Sequence, residues 1–168
     1  AFGRGPGSFT GLRIAASVAQ GIAFAADLPV LPVSTLAALA RDALQRSAAT
    51  HALAAIDARM DEVYWAAYAR DAQDEPVLIG EEQVSPAAAI SVPAGRDWFG
   101  IGTGWAAYGE TLRSHFPLGL MKVDTAALPR AGHIARLAAR DFGAGRAVPA
   151  EQAVPVYLRN QVAQRPGG

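Results

Sequence analysis

Gly3-Arg4-Gly5-Pro6-Gly7-Ser8-Phe9-Thr10-Gly11-Leu12-Arg13-Ile14-Ala15 is the stretch on which the reading of this chain turns. It has the form of a strand end, a glycine loop and a helix start. Pro6 fixes φ for the second position of a turn, and Gly7 supplies the positive φ that a type II turn needs next. Ser8 or Thr10 is placed to cap a helix running from about residue 11. Converging N–H groups, the positive end of the helix dipole and the flanking Arg4 and Arg13 would suit an anion. The other reading is that the glycines only let a strand turn tightly into a closely packed helix. Two familiar phosphate-loop patterns fail. The chain's only lysine is Lys122, so there is no Walker A lysine. A dinucleotide fingerprint begun at Gly3 or Gly5 would need its third glycine at Ser8 or Thr10.

Beyond the loop, residues 12–28 are apolar nearly all round, with small residues at Ala15, Ala16, Ser17, Ala19, Gly21, Ala23, Ala25 and Ala26. A helix with no polar face is expected to be buried or covered, and short side chains let another helix approach closely. Asp27-Leu28-Pro29 ends it. Residues 30–33 read as a strand, at an edge or bulge because of Pro32. Ser34 or Thr35 caps a further helix to about residue 47. Over 168 residues, with 51% hydrophobic, there is material for one or two small cored domains. Fifteen basic residues balance fifteen acidic ones, so bulk charge offers no hold on nucleic acid or membrane. There is no cysteine, hence no disulfide and no thiolate metal site. No window reads as a signal peptide or a spanning helix, and a cytoplasmic location is expected.

From residue 51 the rhythm changes. Residues 51–57, 62–69 and 77–84 read as a three-stranded meander, and Ser85-Pro86 as the start of a short helix. Pro93-Ala94-Gly95-Arg96 is a linker. A strand (97–102), a helix (105–115), a strand (120–123) and a helix (130–142) follow, then a proline-punctuated tail over 151–159 and a disordered end at 164–168. The order strand–strand–strand–helix–strand–helix–strand–helix resembles the ribonuclease-H-like unit that the actin/Hsp70/sugar-kinase fold uses twice. The first half, strand–helix–strand–helix, resembles the latter part of the same unit. Phe2-Gly3-Arg4-Gly5-Pro6-Gly7 and Phe99-Gly100-Ile101-Gly102-Thr103-Gly104 stand at matching strand-to-helix junctions. The expected architecture is an α/β, actin/Hsp70-like two-lobe fold. Residues 1–50 would be the remnant of an incomplete N-terminal lobe, and residues 51–168 the C-terminal lobe.

Catalytic constellations are scarce. His51, His115 and His133 fall on different elements with no acidic or serine partner at a recognisable spacing. Ser8 and Ser34 lack the flanking glycines of a nucleophile elbow, and no His-x-x-x-His pair occurs. The richest polar cluster is Asp57-Ala58-Arg59-Met60-Asp61-Glu62, in the first turn of the meander. ATPases of the actin-like fold wrap phosphate here with glycines beside an aspartate, and Ala58 and Arg59 stand where those glycines would be. Arg4, Arg13, Asp57, Arg59 and Glu62 are therefore candidates for a ligand or partner contact, against a plain reading as a solvated hairpin turn. Tyr64, Trp65 and Tyr68 follow, with Trp65 on the opposite face, so at least one ring is expected to be exposed or at an interface.

Five ordered blocks carry a specific resemblance: residues 3–14, Pro-Val-Ser-Thr-Leu at 32–36, Ala-Ala-Ile-Asp-Ala-Arg-Met-Asp-Glu-Val-Tyr-Trp-Ala at 54–66, Gly-Thr-Gly-Trp at 102–105 and Pro-Val-Tyr-Leu-Arg-Asn at 155–160. Together they resemble the TsaB (YeaZ) family. The resemblance implies a non-catalytic scaffold subunit of the bacterial machine that makes threonylcarbamoyladenosine beside the tRNA anticodon. It implies a heterodimer with the catalytic paralogue TsaD, TsaE joining the assembled pair, self-association when alone, and tRNA met only through the complex. No cofactor is expected on this subunit; ATP and metal would be used by its partners. TsaD carries two metal-binding histidines just after the strand that follows its glycine-loop helix, where this chain has Thr35 and Leu39. The family interface falls on first-lobe helices, which nominates Gly7, Ser8, Phe9, Gly11, Leu12, Ala15, Ala16, Ala19 and Ala23. Family members also have a leading strand pair and helix that this chain lacks. The rival reading is an active ATPase or phosphotransferase of the same fold.

Overall fold

The computed structural model describes residues 1–95, 97–116 and 119–159. Arg96 of the expected linker, Asn160 of the fifth block and the expected disordered end lie outside the described residues. In chain order the elements are β1 (Phe2–Gly5), α1 (Phe9–Ala26), β2 (Pro32–Ser34), α2 (Thr35–Gln45), β3 (His51–Arg59), β4 (Glu62–Arg70), β5 (Pro76–Pro86), β6 (Trp98–Ile101), α3 (Gly104–Ser114), β7 (Leu120–Asp124) and α4 (Ala131–Gly143).

Period-two alternation builds the larger sheet. Ala52 and Ala54 of β3 and Phe99 and Ile101 of β6 face one core, beneath α2, together with Tyr68. Leu53, Ala55, Trp65 and Trp98 face the other, beneath α3, with Trp105, Leu112 and Phe116. Both faces are thus covered, and Trp65 and Tyr68 are both buried; Tyr64 is the half-buried ring of the trio. The sheet order is β5-β4-β3-β6-β7, with β3, β4 and β5 antiparallel and β3, β6 and β7 parallel. That is the arrangement expected of one ribonuclease-H-like unit. A second, two-stranded sheet pairs β1 with β2 in parallel.

Between the sheets runs α2. Ser34 caps it, its Oγ accepting from the Ala37 N–H at 3.1 Å. Leu36, Leu39, Ala40, Ala43 and Leu44 seal the core under the large sheet, while Ala38 packs with Val33, Ile134, Leu137 and Ala138 towards α4. Each buried leucine contributes about 1.5–3 kcal/mol relative to exposure. Arg70 fastens the far end of α2, its guanidinium donating to the carbonyls of Leu44, Ser47 and Ala49. A cation at a helix C-terminus meets both the orphan carbonyls and the dipole.

Three expectations are corrected. No short helix starts at Ser85-Pro86: β5 runs on to Pro86, and a single 3₁₀ turn follows at Ala87–Ala89. The strand expected at 30–33 is shifted, because Val30 instead pairs with Val148 in an isolated bridge. The third concerns α1, which is neither buried nor covered. Against the expectation that no window reads as a spanning helix, it is by length and composition long and apolar enough to cross a membrane. It is nonetheless anchored through Leu12, Ala16 and Ala23, of which Ala16 and Ala23 pack with Phe2, Val30, Ala150 and Ala153. Asp27 ends it in the left-handed conformation (φ 51°), its N–H reaching the Ala23 and Phe24 carbonyls.

Candidate functional site

Gly5 and Gly102 explain the twin glycine junctions. Gly5 is the last residue of β1 and Gly102 follows β6, both with strongly positive φ, 110° and 107°, and each meets the backbone that passes over it. A Cβ on Gly5 would lie 2.9 Å from the Val156 carbonyl oxygen, and one on Gly102 2.4 Å from that of Ala55. These two glycines serve close packing. The loop between β1 and α1 then delivers Ser8 as the N-cap, its Oγ 3.4 Å from the Gly11 N–H.

Opposite this loop stands the β3–β4 hairpin turn. Its central residues Met60 and Asp61 have φ of 57° and 59°, as a type I′ turn demands, and Arg59, paired with Glu62 after a bulge at Ala58, has φ of 62°. None is glycine, and the left-handed conformation costs an L-residue about 1–2 kcal/mol. The turn therefore keeps a backbone suited to glycine while bearing side chains. Asp57 secures its base: Oδ1 accepts from the Arg59 N–H at 2.9 Å, and Oδ2 pairs with Arg59 Nη1 at 3.3 Å. Arg59 remains 86% exposed and Met60 73%.

The tail closes the third side. Loop, turn and tail enclose a cleft of about 580 Å³ lined by Pro6, Gly7, Ser8, Phe9, Leu12, Ile56, Asp57, Ala58, Arg59, Tyr64 and residues 156–159. The glycine loop and the acidic–basic turn, fifty residues apart in sequence, thus face one space. Sequence reading missed the tail as a wall of it, although Tyr157 and Arg159 stand in the fifth motif block.

The two arginines expected to flank an anion are engaged elsewhere. Arg4 pairs with the half-buried Glu82 at 3.1 Å, and Glu82 also accepts from Tyr68 at 3.2 Å. Burial, with the nearby Glu82 carboxylate second, pushes the Tyr68 phenol well above its ordinary range. Arg13 lies 3.9 Å over the Phe9 ring and donates to the Tyr157 hydroxyl at 3.3 Å. Glu62 pairs with Arg159.

The nominated interface residues divide. Gly7, Ser8 and Phe9 border the cleft, and Gly11 is exposed on the first turn of α1. Leu12, Ala16 and Ala23 are buried in this chain's own core, with Ala15 and Ala19 half-covered beside them. Ala16 and Ala23 turn inward, their short side chains letting α1 lie close on β1, whereas Ser17, Gly21, Ala25 and Ala26 stay exposed. The outward face carries Ile14, Val18, Ile22 and Phe24, the last two 65% and 83% exposed.

Metal chemistry of the TsaD kind does not fit the residues at the start of α2. Thr35 Oγ1 donates to the Pro6 carbonyl, and Leu39 is a buried hydrocarbon in the main core. Among the described residues no group of three His, Cys, Asp or Glu side chains is gathered to hold a metal ion. His51 stacks on Trp98 with ring centroids 4.8 Å apart, and His115 Nε2 lies 3.0 Å from the Ala87 carbonyl.

A five-stranded ribonuclease-H-like sheet, joined through α2 to a two-stranded parallel sheet, defines an actin/Hsp70-type protein whose cleft walls are a glycine loop and a hairpin turn. The profile of the family described as "TsaD: tRNA N6-adenosine threonylcarbamoyltransferase" matches residues 1–166. The tRNA threonylcarbamoyladenosine biosynthesis protein TsaB of Escherichia coli (strain K12) is 43% identical over 97% of this chain and 71% of its own length. Its Haemophilus influenzae counterpart is 41% identical over 96% and 70%. A crystal structure described as an uncharacterized protein with similarity to peptidase YEAZ, from Pseudomonas aeruginosa, superposes with a TM-score of 0.84 at 49% identity, covering 94% of this chain and 71% of that one. The structure of YeaZ from the same organism gives the same score and identity over 93% and 72%. The chain belongs to the TsaB (YeaZ) family.

Proposed function

We propose that this chain is a non-catalytic subunit of the tRNA threonylcarbamoyladenosine machinery that binds TsaD and holds it in an active, tRNA-competent arrangement. The observation that carries the reading is the outward face of α1, where Ile14, Val18, Ile22 and Phe24 form an apolar surface on a helix otherwise fixed to its own domain. Several large apolar side chains exposed on one helix mark a protein–protein contact. The same face would serve self-association when TsaD is absent. Buried Leu39 and engaged Thr35 support a role without metal chemistry of its own. TsaE joins the assembled heterodimer, tRNA is met only through the complex, and ATP and metal belong to the partners. The setting is cytoplasmic.

The test is retention on tagged TsaD. The protein should be retained, and Ile22→Arg should be lost from the resin while keeping its circular dichroism and melting temperature. Equal retention of both would move the contact away from α1; retention of neither would remove TsaD as the partner.

A further inference from the structure

One guanidinium holds the whole hairpin turn. Arg159 Nη2 donates to the Ala58 carbonyl at 3.1 Å and to the Arg59 carbonyl at 3.3 Å, and pairs with the Glu62 carboxylate. Its Nη1 lies 3.7 Å from Met60 Sδ. These are the residues that bracket and compose the left-handed run Arg59-Met60-Asp61. The same short segment is tied to the opposite wall. Val156 N–H donates to the Arg4 carbonyl at 2.8 Å, and the Tyr157 ring sits 5.6 Å from that of Phe9 while its hydroxyl accepts from Arg13.

We infer that residues 156–159 form a strap across the cleft and that Arg159 is its latch, a positioning residue that keeps the hairpin turn in its left-handed shape. A turn of three non-glycine residues at positive φ is not held by its own preferences, since Met and Arg disfavour this region. It needs an outside partner that satisfies its carbonyls in that one geometry. A single nitrogen of the guanidinium, Nη2, reaches two carbonyls and a carboxylate, while Nη1 turns to the Met60 sulfur. Releasing the latch lets the turn relax and slackens the strap back to Val156, so the cleft loses a wall. The inference concerns the cleft and not the α1 face, and stands whether or not the chain docks TsaD.

Amide hydrogen exchange on the full chain tests it. Arg159→Ala should speed exchange of residues 59–62 and of the Val156 amide by about tenfold or more, leaving residues 52–55 of β3 at wild-type protection. Asp61→Gly in the Arg159→Ala background should bring residues 59–62 back to within about twofold of wild type, because glycine accepts positive φ without a partner. A latch that only packs would not respond to glycine. The proposal is overturned by unchanged exchange at the turn in Arg159→Ala, by a uniform rise that includes residues 52–55, or by failure of Asp61→Gly to restore protection.

Discussion

Arg41 Nη1 lies 3.1 Å from His133 Nδ1, and since a guanidinium can only donate, the imidazole must accept there and carry its proton on Nε2. That Nε2 points at Asp42 Oδ1, 3.4 Å away. Arg41 is otherwise committed to Glu75 through Nε and Nη2, each with a contact of 2.7 Å, and to Gln45 at 3.0 Å. The network joins α2 to α4 and to the start of β5, and it is complete only while the imidazole is neutral.

Stability should therefore fall on mild acidification. Burial first, then the charges of Arg41 and Arg130, lower the His133 pKa against an opposing pull from Asp42. A depressed histidine pKa means the unfolded chain binds the proton first, so stability is full above about pH 6.5 and declines as pH drops below it. Melting temperatures from pH 8 to 5 should fall more for wild type than for His133→Gln, whose amide accepts from Arg41 and donates to Asp42 without titrating. Parallel curves would show that the imidazole contributes nothing to the slope.

The two faces of α1 should answer differently to the same charge. Ala16→Glu puts a carboxylate into the core with Phe2 and Val30 and should cost about 3 kcal/mol or more. Ile22→Glu, on the exposed face, should stay within about 0.5 kcal/mol. Urea unfolding of both variants checks the contrast, and comparable losses would mean the outward face is packed in solution.

Gly102 and Gly21 make a second contrast. A methyl at Gly102 would lie 2.4 Å from the Ala55 carbonyl oxygen on a backbone with φ of 107°, and Gly102→Ala should cost about 2–4 kcal/mol. Gly21 has no heavy atom within 4 Å of the corresponding position on an exposed helix surface, so Gly21→Ala should stabilise by about 0.5–1 kcal/mol. Thermal denaturation of the two variants reads the signs directly.

Nucleotide should leave the protein unmoved. The turn that would cradle a phosphate carries Ala58 and Arg59, and Asp57 is already bonded to Arg59. Millimolar ATP with magnesium should shift the melting temperature by less than about 1 °C, whereas a ligand at a hundred times its Kd stabilises by about 2.7 kcal/mol. A shift of several degrees would revive the ATPase reading.

Much of this was legible in the chain because it is local. Ser8 and Ser34 announce helix starts through their own backbone bonding, and alternation along residues 51–57 and 97–102 assigns side chains to two faces of one sheet. The order of those elements leaves one familiar sheet topology, and the motif blocks carry the family. The sequence determined no more than that about the site. Residues 12–28 are apolar nearly all round, so no periodicity says which stripe lies on β1; only the packing of Ala16 and Ala23 with Phe2 and Val30 turned that stripe inward and left Ile22 and Phe24 outside. Nor does any local signal connect Arg159 to a turn nearly a hundred residues earlier. The tertiary structure decided that contact, because only the folding of the tail across the cleft brings the Arg159 guanidinium to the Ala58 and Arg59 carbonyls.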